Sequence, residues 1–171
     1  MKLNLGCAKD VRQGYKNVDL HYKHPDVINE DISNLSFVED NTVEEIIAHD
    51  IIEHLPLQKS VECLKVWYNY LKPGGIISIQ TTNYPLMMNA VHLGIWNMVT
   101  LNHMLFAGIN YTDVGSQDCD FHKSTYSVHE LSQILEQIGY TIFNTREDSV
   151  DAALMSNPYS HNLNLYIIAK K

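Results

Sequence analysis

The 171-residue sequence is short of glycine motifs, of cysteine pairs and of positive charge, and each shortage excludes something. Its eight glycines never fall into G-x-G-x-x-G, so the dinucleotide turn of a nicotinamide-dependent oxidoreductase is absent. The three cysteines, Cys7, Cys63 and Cys119, are odd in number and far apart. That pattern reads as reduced thiols and predicts a cytoplasmic setting. Twelve Lys and Arg stand against twenty Asp and Glu, a formal charge of −8, and the cations form no stripe. No nucleic-acid partner is expected, because phosphate binding needs clustered cations. The longest apolar stretch, around Val91 to Leu105, is broken by His92, Asn97, Asn102 and His103. It cannot span a bilayer, and no signal-peptide pattern opens the chain, so no membrane partner is expected.

What is present is ordinary globular composition, 45% apolar and 19% charged, enough for one domain over residues 1–171. Strand-like and helix-like segments alternate, which favours a parallel sheet covered by helices. The pattern predicts strands at Leu3–Leu5, Asn17–Leu20, Val27–Asn29, Glu45–Ala48, Ile76–Thr81, Thr141–Thr145 and Leu163–Ala169. A helix is expected over Leu57–Leu71, where Val61, Leu64, Trp67, Tyr68 and Leu71 recur at helical spacing, with Pro73-Gly74-Gly75 turning the chain back. Another runs from Val128 to Ile138, with Ser127 as N-cap and Gly139 as stop. The Met-rich segment Leu86–Phe106 also reads as helical; Met87, Met88, Met98, Met104 and Trp96 suit a core or an oligomer surface.

The opening carries the chemistry. The strand of KLNLGCA breaks at Gly6, where a Cβ would hold the backbone away from a ligand, and NVDL ends a second strand on Asp19. A strand, a glycine turn and a second strand ending in a carboxylate form a nucleotide-site arrangement, the carboxylate accepting from ribose hydroxyls. Only about ten residues separate Gly6 from Asn17, barely enough for a parallel crossover, so any helix there is a turn or two at most.

LNLGCA at the first strand, NVDL at the second, and Glu30–Leu55, Leu71–Asn83 and His129–Phe143 in order resemble the motifs of small class I S-adenosylmethionine-dependent methyltransferases of the type 11 sort. The resemblance implies an α/β, Rossmann-like, doubly wound and mostly parallel seven-stranded sheet with an antiparallel last strand, lacking the N-terminal cover helices. It departs from the family where Ala8 replaces a second glycine. It implies S-adenosyl-L-methionine as cofactor. Gly6 and the backbone of Leu5 and Cys7 would lie under its methionine part, and Asp19 would take the ribose hydroxyls. Leu20 would pack on the adenine, Asp31 would accept from its amino group, and Ile32 would offer a backbone amide. His49 and Asp50 would border the amino-acid end and the methyl.

For the chemical step, His54, with Glu53 as orienter, is a candidate proton acceptor, the alternative being a packing role. His122 is the stronger base candidate, against a solvated or anchoring loop histidine. Cys7 reads as a small packing residue. No metal is expected: the spacing of Asp118, Asp120 and His122, or of His21 and His24, fits no standard zinc pattern and H-E-x-x-H is absent. The expected activity is methyl transfer to a small-molecule acceptor, sugars and surface-polysaccharide precursors being the first class to try. The alternative is a non-catalytic relative serving as a subunit of a larger enzyme. The uncovered site and the apolar middle segment point to a homodimer.

Overall fold

Alternation within the strands decides which side of the sheet is wet. In the fifth strand Ile77 and Ile79 are fully buried, whereas Ile76, Ser78 and Gln80 are not. The computed structural model describes residues 1–106, 121–149 and 163–171. In it, β1 (Lys2–Leu5), β2 (Lys16–Val18), β3 (Val27–Ile28), β4 (Val43–His49), β5 (Leu71–Thr82), β6 (Thr141–Glu147) and β7 (Asn164–Lys170) form one sheet in the order β3-β2-β1-β4-β5-β7-β6. The pairs from β3 to β5 are parallel, and β7 runs antiparallel to both β5 and β6.

Helices α1 (Leu57–Tyr70) and α4 (Val128–Ile138) cover one face. There Leu3, Leu5, Ile46, Ala48, Ile77, Ile79, Leu165, Ile167 and Ala169 pack with Leu64, Trp67, Leu131 and Leu135 into the main core. The opposite face is largely polar, with Ile47, Ile76 and Ile168 among its side chains. In register across it stand Lys2 and Glu45, ion-paired at 2.7 Å, then Ile76 and Lys170. Arg146 stacks over the Tyr166 ring on the same side, 4.0 Å from its centroid. Parallel sheets are usually apolar on both faces; this one is patterned like a half-solvated sheet.

Among the described residues no helix joins β1 to β2, β2 to β3 or β3 to β4. The short crossover expected after Gly6 is therefore a folded loop. Asn4, buried on the polar face, donates to the Asp10 carbonyl at 2.6 Å and to Asn17 Oδ1 at 3.0 Å. Asn17 in turn accepts from the Arg12 amide at 2.9 Å and donates to its carbonyl at 3.1 Å. Two buried amides thus supply the partners that a helix would have supplied internally.

Boundaries moved where side chains captured the backbone. The second strand stops at Val18 rather than Leu20, because Asp19 Oδ1 takes the amides of His21 and Tyr22 at 2.8 Å each and turns the chain. The third ends at Ile28, one residue early, with Asn29 donating to the carbonyls of Asp19 and Tyr22. Pro73-Gly74-Gly75 lies inside β5 as an irregularity: α1 ends at Tyr70, and Leu71 already pairs with Val43. Gly75 is needed there, since a Cβ would lie 2.9 Å from the Val43 carbonyl oxygen. α4 follows its expected limits, with a reciprocal Ser127–Glu130 cap and Gly139 left-handed at φ 118°. The Met-rich segment is two helices, α2 (Tyr84–His92) and α3 (Met98–Leu105), each capped by an asparagine. Met87, Trp96 and Met104 form a separate small core with Leu163, whereas Met88 and Met98 are exposed. None of the described helices is long and apolar enough to cross a membrane.

A one-faced core makes neighbouring isoleucines unequal. Ile77→Ala should cost about 2–5 kcal/mol, as for a filled core site, and Ile76→Ala less than about 1 kcal/mol. Urea unfolding of the two variants measures the difference; equal losses would mean that the polar face is covered in solution.

Candidate active site

The carboxyl ends of β1, β2 and β4 open onto a cleft of about 650 Å³. Gly6, Asp19, Leu20, Asp31, Ile32, Asp50 and His54 line it, together with Ala8 and His21 and a set the sequence did not single out: Tyr22, Ile51, Leu55, Lys59 and Lys123. Leu5 and Cys7 are buried beneath the turn. His49 lies outside the lining, on the polar face of β4, with its Nε2 2.9 Å from Ser78 Oγ. Strand alternation puts it there, next to inward-facing Ala48. Burial lowers its imidazole below the ordinary range.

Gly6 is left-handed at φ 63°, and a Cβ on it would stand 2.5 Å from Ile51 Cγ1. The glycine therefore admits Ile51, which folds back across the turn. Ala8 and Asp50 are also left-handed, at φ 42° and 51°, so backbone strain gathers around this cleft. Asp19 holds the turn: its Oδ2 accepts the Ala8 amide at 2.9 Å. With two amides on Oδ1 and one on Oδ2, Oδ2 keeps a lone pair toward a further donor. Leu20 is half exposed, an apolar surface at the mouth.

The next wall is carried by α1. Trp67 Nε1 donates to the Ile32 carbonyl at 2.9 Å, and the Leu35 amide donates to Tyr70 Oη at 3.0 Å. Asp31 accepts the Ser33 amide at 2.8 Å, which chiefly holds its carboxyl below the ordinary range. On the far side, the Gln80 amide meets both Asp50 oxygens, at 3.1 and 2.9 Å. Asp50 is open at the rim but hemmed in by chain, and this desolvation raises its carboxyl.

Beyond Asp50 a short 3-10 turn, Ile52–His54, carries Glu53 and His54. The segment before α4 is tied to it: the amides of Lys123 and Ser124 donate to the Glu53 carbonyl at 2.7 and 3.2 Å, and Ser124 Oγ donates to that of Ile52. This docking brings His122 against His54, ring centroids 4.9 Å apart and edge to face. Burial, then the neighbouring imidazole, lowers His122 to about 4, so it is unprotonated near neutrality. Glu53 is fully buried, and desolvation raises its carboxyl to about 8. Thr81 and Thr82 lie beside it, yet neither Glu53 oxygen has a hydrogen bond of ordinary geometry. Ligand atoms of Glu53, His54 and His122 lie within 4.8 Å of one another. The sequence reading took His54 and His122 singly, because 67 residues separate the turn from the segment docked on it. Asp118, Cys119 and Asp120 lie outside the described residues. Burial pushes the thiols of Cys7 and Cys63 up to about 11, which suits packing rather than nucleophilic roles.

No protein-family model and no curated protein matches the sequence. Solved structures do. An Archaeoglobus fulgidus SAM-dependent methyltransferase is 17% identical, with a TM-score of 0.61 over 99% of this chain and 85% of the other. The Burkholderia thailandensis 1,6-didemethyltoxoflavin-N1-methyltransferase, solved with its substrate and S-adenosylhomocysteine, is 13% identical, with a TM-score of 0.63 over 99% and 70%. A putative methyltransferase in complex with the Haloferax volcanii Trm112 methyltransferase activator is 10% identical, with a TM-score of 0.61 over 99% and 80%. The chain therefore has the class I S-adenosylmethionine-dependent methyltransferase fold.

The two left-handed residues of the first turn should respond oppositely to substitution. Gly6→Ala adds a clash with Ile51 and should cost at least about 2 kcal/mol. Ala8→Gly relieves φ 42° and should add about 0.5 to 1 kcal/mol. Thermal unfolding reads both; an Ala8→Gly protein less stable than the parent would show that the turn is not strained.

Proposed function

We propose that the protein transfers a methyl group from S-adenosyl-L-methionine to a small-molecule acceptor. The observation that carries this reading is the cleft itself. On this fold, at the carboxyl ends of the strands, it gathers Asp19, Leu20, Asp31 and Ile32 around a space suited to a nucleoside. When bound, the cofactor supplies an activated sulfonium methyl. The chain's tasks are then to align the acceptor and keep water out. Asp19 Oδ2 receives the ribose hydroxyls, and Leu20 with Ile32 sandwiches the adenine, whose amino group donates to Asp31. Gly6, over the buried Leu5 and Cys7, and Asp50 border the amino-acid end and the methyl. His49, hydrogen-bonded to Ser78 behind β4, supports the strand end instead of touching ligand.

The acceptor enters beside His54 and His122. His54 lines the cleft, and His122, held unprotonated by burial, packs edge to face against it, a pair suited to an acceptor that must lose a proton. A hydroxyl of a sugar or surface-polysaccharide precursor fits that requirement, by analogy with small enzymes of this fold. A second reading, the chain as a subunit of a larger enzyme or of a homodimer, is favoured by the edge strand β6, where Phe143 is 78% exposed.

Calorimetric titration with S-adenosylhomocysteine should show saturable binding, weakened at least about tenfold by Asp19→Ala, the loss of roughly 1.4 kcal/mol of hydrogen bonding. Equal affinity in both proteins would remove Asp19 from the ribose. Absence of binding to the parent protein would favour the subunit reading.

A further inference from the structure

The cleft divides its charges by partner. Its lining holds three carboxylates, Asp19, Asp31 and Asp50, and two ammonium groups, Lys59 and Lys123. The carboxylates are engaged: Asp19 with three backbone amides, Asp31 with the Ser33 amide, Asp50 with the Gln80 side chain. A cofactor that combines a sulfonium with an amino acid is a net cation, and these three suit its hydroxyls, amino groups and positive charge.

The lysines have no such employment. Among the described residues neither ammonium makes an ion pair or a hydrogen bond. Lys59 is partly buried in the first turn of α1, where no acid stands to neutralise it. It adds to the lowering of the Asp31 carboxyl only as the least of the causes. Lys123 is exposed, and its amide ties it to the Glu53 carbonyl, next to His54. Lys59 follows Leu55 by four residues, so both lysines belong to the wall where the acceptor enters. A lone lysine on a convex surface is ordinary. Two in one concave wall, in a chain of net charge −8, reverse the local field, and cleft walls strengthen that field.

We infer that the methyl acceptor is an oxyanion-bearing hydroxyl compound, a sugar phosphate or a sugar acid, whose negative group is held by Lys59 and Lys123. The inference rests on the methyl-transfer reading and narrows its substrate class. Charge then sorts the two ligands, the cationic cofactor onto Asp19, Asp31 and Asp50 and the anionic acceptor onto the lysines. The ammonium groups take no part in the transfer. They bind and orient the acceptor, so that its hydroxyl lies beside His54 and toward the methyl. A neutral sugar would leave both cations without a counter-charge and gain nothing from them.

The test uses the full-length protein saturated with S-adenosylhomocysteine and titrated at constant ionic strength with inorganic phosphate, malonate and neutral malonamide. Amide NMR shifts read the binding. Phosphate or malonate should saturate, with Lys59, Lys123 and their neighbours shifting, and malonamide should not. The tighter anion tells a phosphate-bearing acceptor from a carboxylate-bearing one. Lys59→Gln and Lys123→Gln should each weaken that anion at least about threefold, and the double variant should abolish its binding. Lys65→Gln, exposed on α1 outside the cleft, should change nothing. Melting curves confirm that the variants fold. Failure of both anions to bind the cofactor-loaded parent, or equal binding in parent and double variant, overturns the inference and leaves the methyl-transfer reading standing. Calorimetry with S-adenosylhomocysteine separates the remaining cases. If the double variant binds it much more weakly than the parent, the lysines serve the cofactor's own carboxylate, and the acceptor assignment is overturned. If the parent binds none, the methyl-transfer reading fails and the acceptor assignment falls with it.

Discussion

The constraint on which the rest depends is the connection from β1 to β2, about ten residues that must reverse direction and enter a parallel strand. A helix does not fit. The loop is instead pinned to the sheet by Asn4 and Asn17, two buried amides that hold one another and the backbone of Asp10 and Arg12. Those amides occupy one face of the sheet, and no helix among the described residues follows β1, β2 or β3 to cover it. The strands answer by alternating, with Ile46, Ile77, Ile79 and Ile167 toward α1 and α4 and Lys2, Glu45, Ser78 and Gln80 outward beside Ile47, Ile76 and Ile168. One short connection thus turns a sheet of usually two apolar faces into one with a dry side and a wet side.

The same economy shapes the cleft. With no helix after the glycine turn, no helix N-terminus points at the ligand, and the turn must be held by other means. Asp19 holds it through the Ala8 amide, Ile51 packs into the space that Gly6 leaves, and three residues around it accept left-handed conformations. Asp19 thereby serves two purposes, since one carboxylate organises three amides and still offers a lone pair outward. The turn and the free face of Asp19 are one structure, and disturbing either disturbs both.

Behind His54, burial sets the state of the titratable groups. Glu53 sits at the centre of a clamp made of its own carbonyl and the amides of Lys123 and Ser124, while Tyr126 and Ser60 close the layer behind. The backbone there is satisfied, and burial holds the Glu53 carboxyl protonated near neutrality beside Thr81 and Thr82. A fully buried acid packed beside two imidazoles has its protonation set by that burial rather than by solvent.

The sequence by itself determined the element order, the strand limits to within a residue apart from the end of β2, the starts of β4 and β5 and the end of β6, the α4 caps at Ser127 and Gly139, and Gly6 and Asp19 at the first turn, because these follow from local periodicity and backbone rules that act within a few residues, whereas Asp31 and Asp50 were reached through the family resemblance. It missed the end of β2, where a side chain rather than the pattern turned the chain, and the split of the Met-rich segment into α2 and α3 around Gly94, itself left-handed. Tertiary structure alone decided that His49 turns away from the cleft, that Lys59 and Lys123 enter it, and that Glu53, His54 and His122 meet. Contacts across 67 residues depend on how α4 docks against α1, and that is set by the shapes of packed surfaces, which no local spacing records.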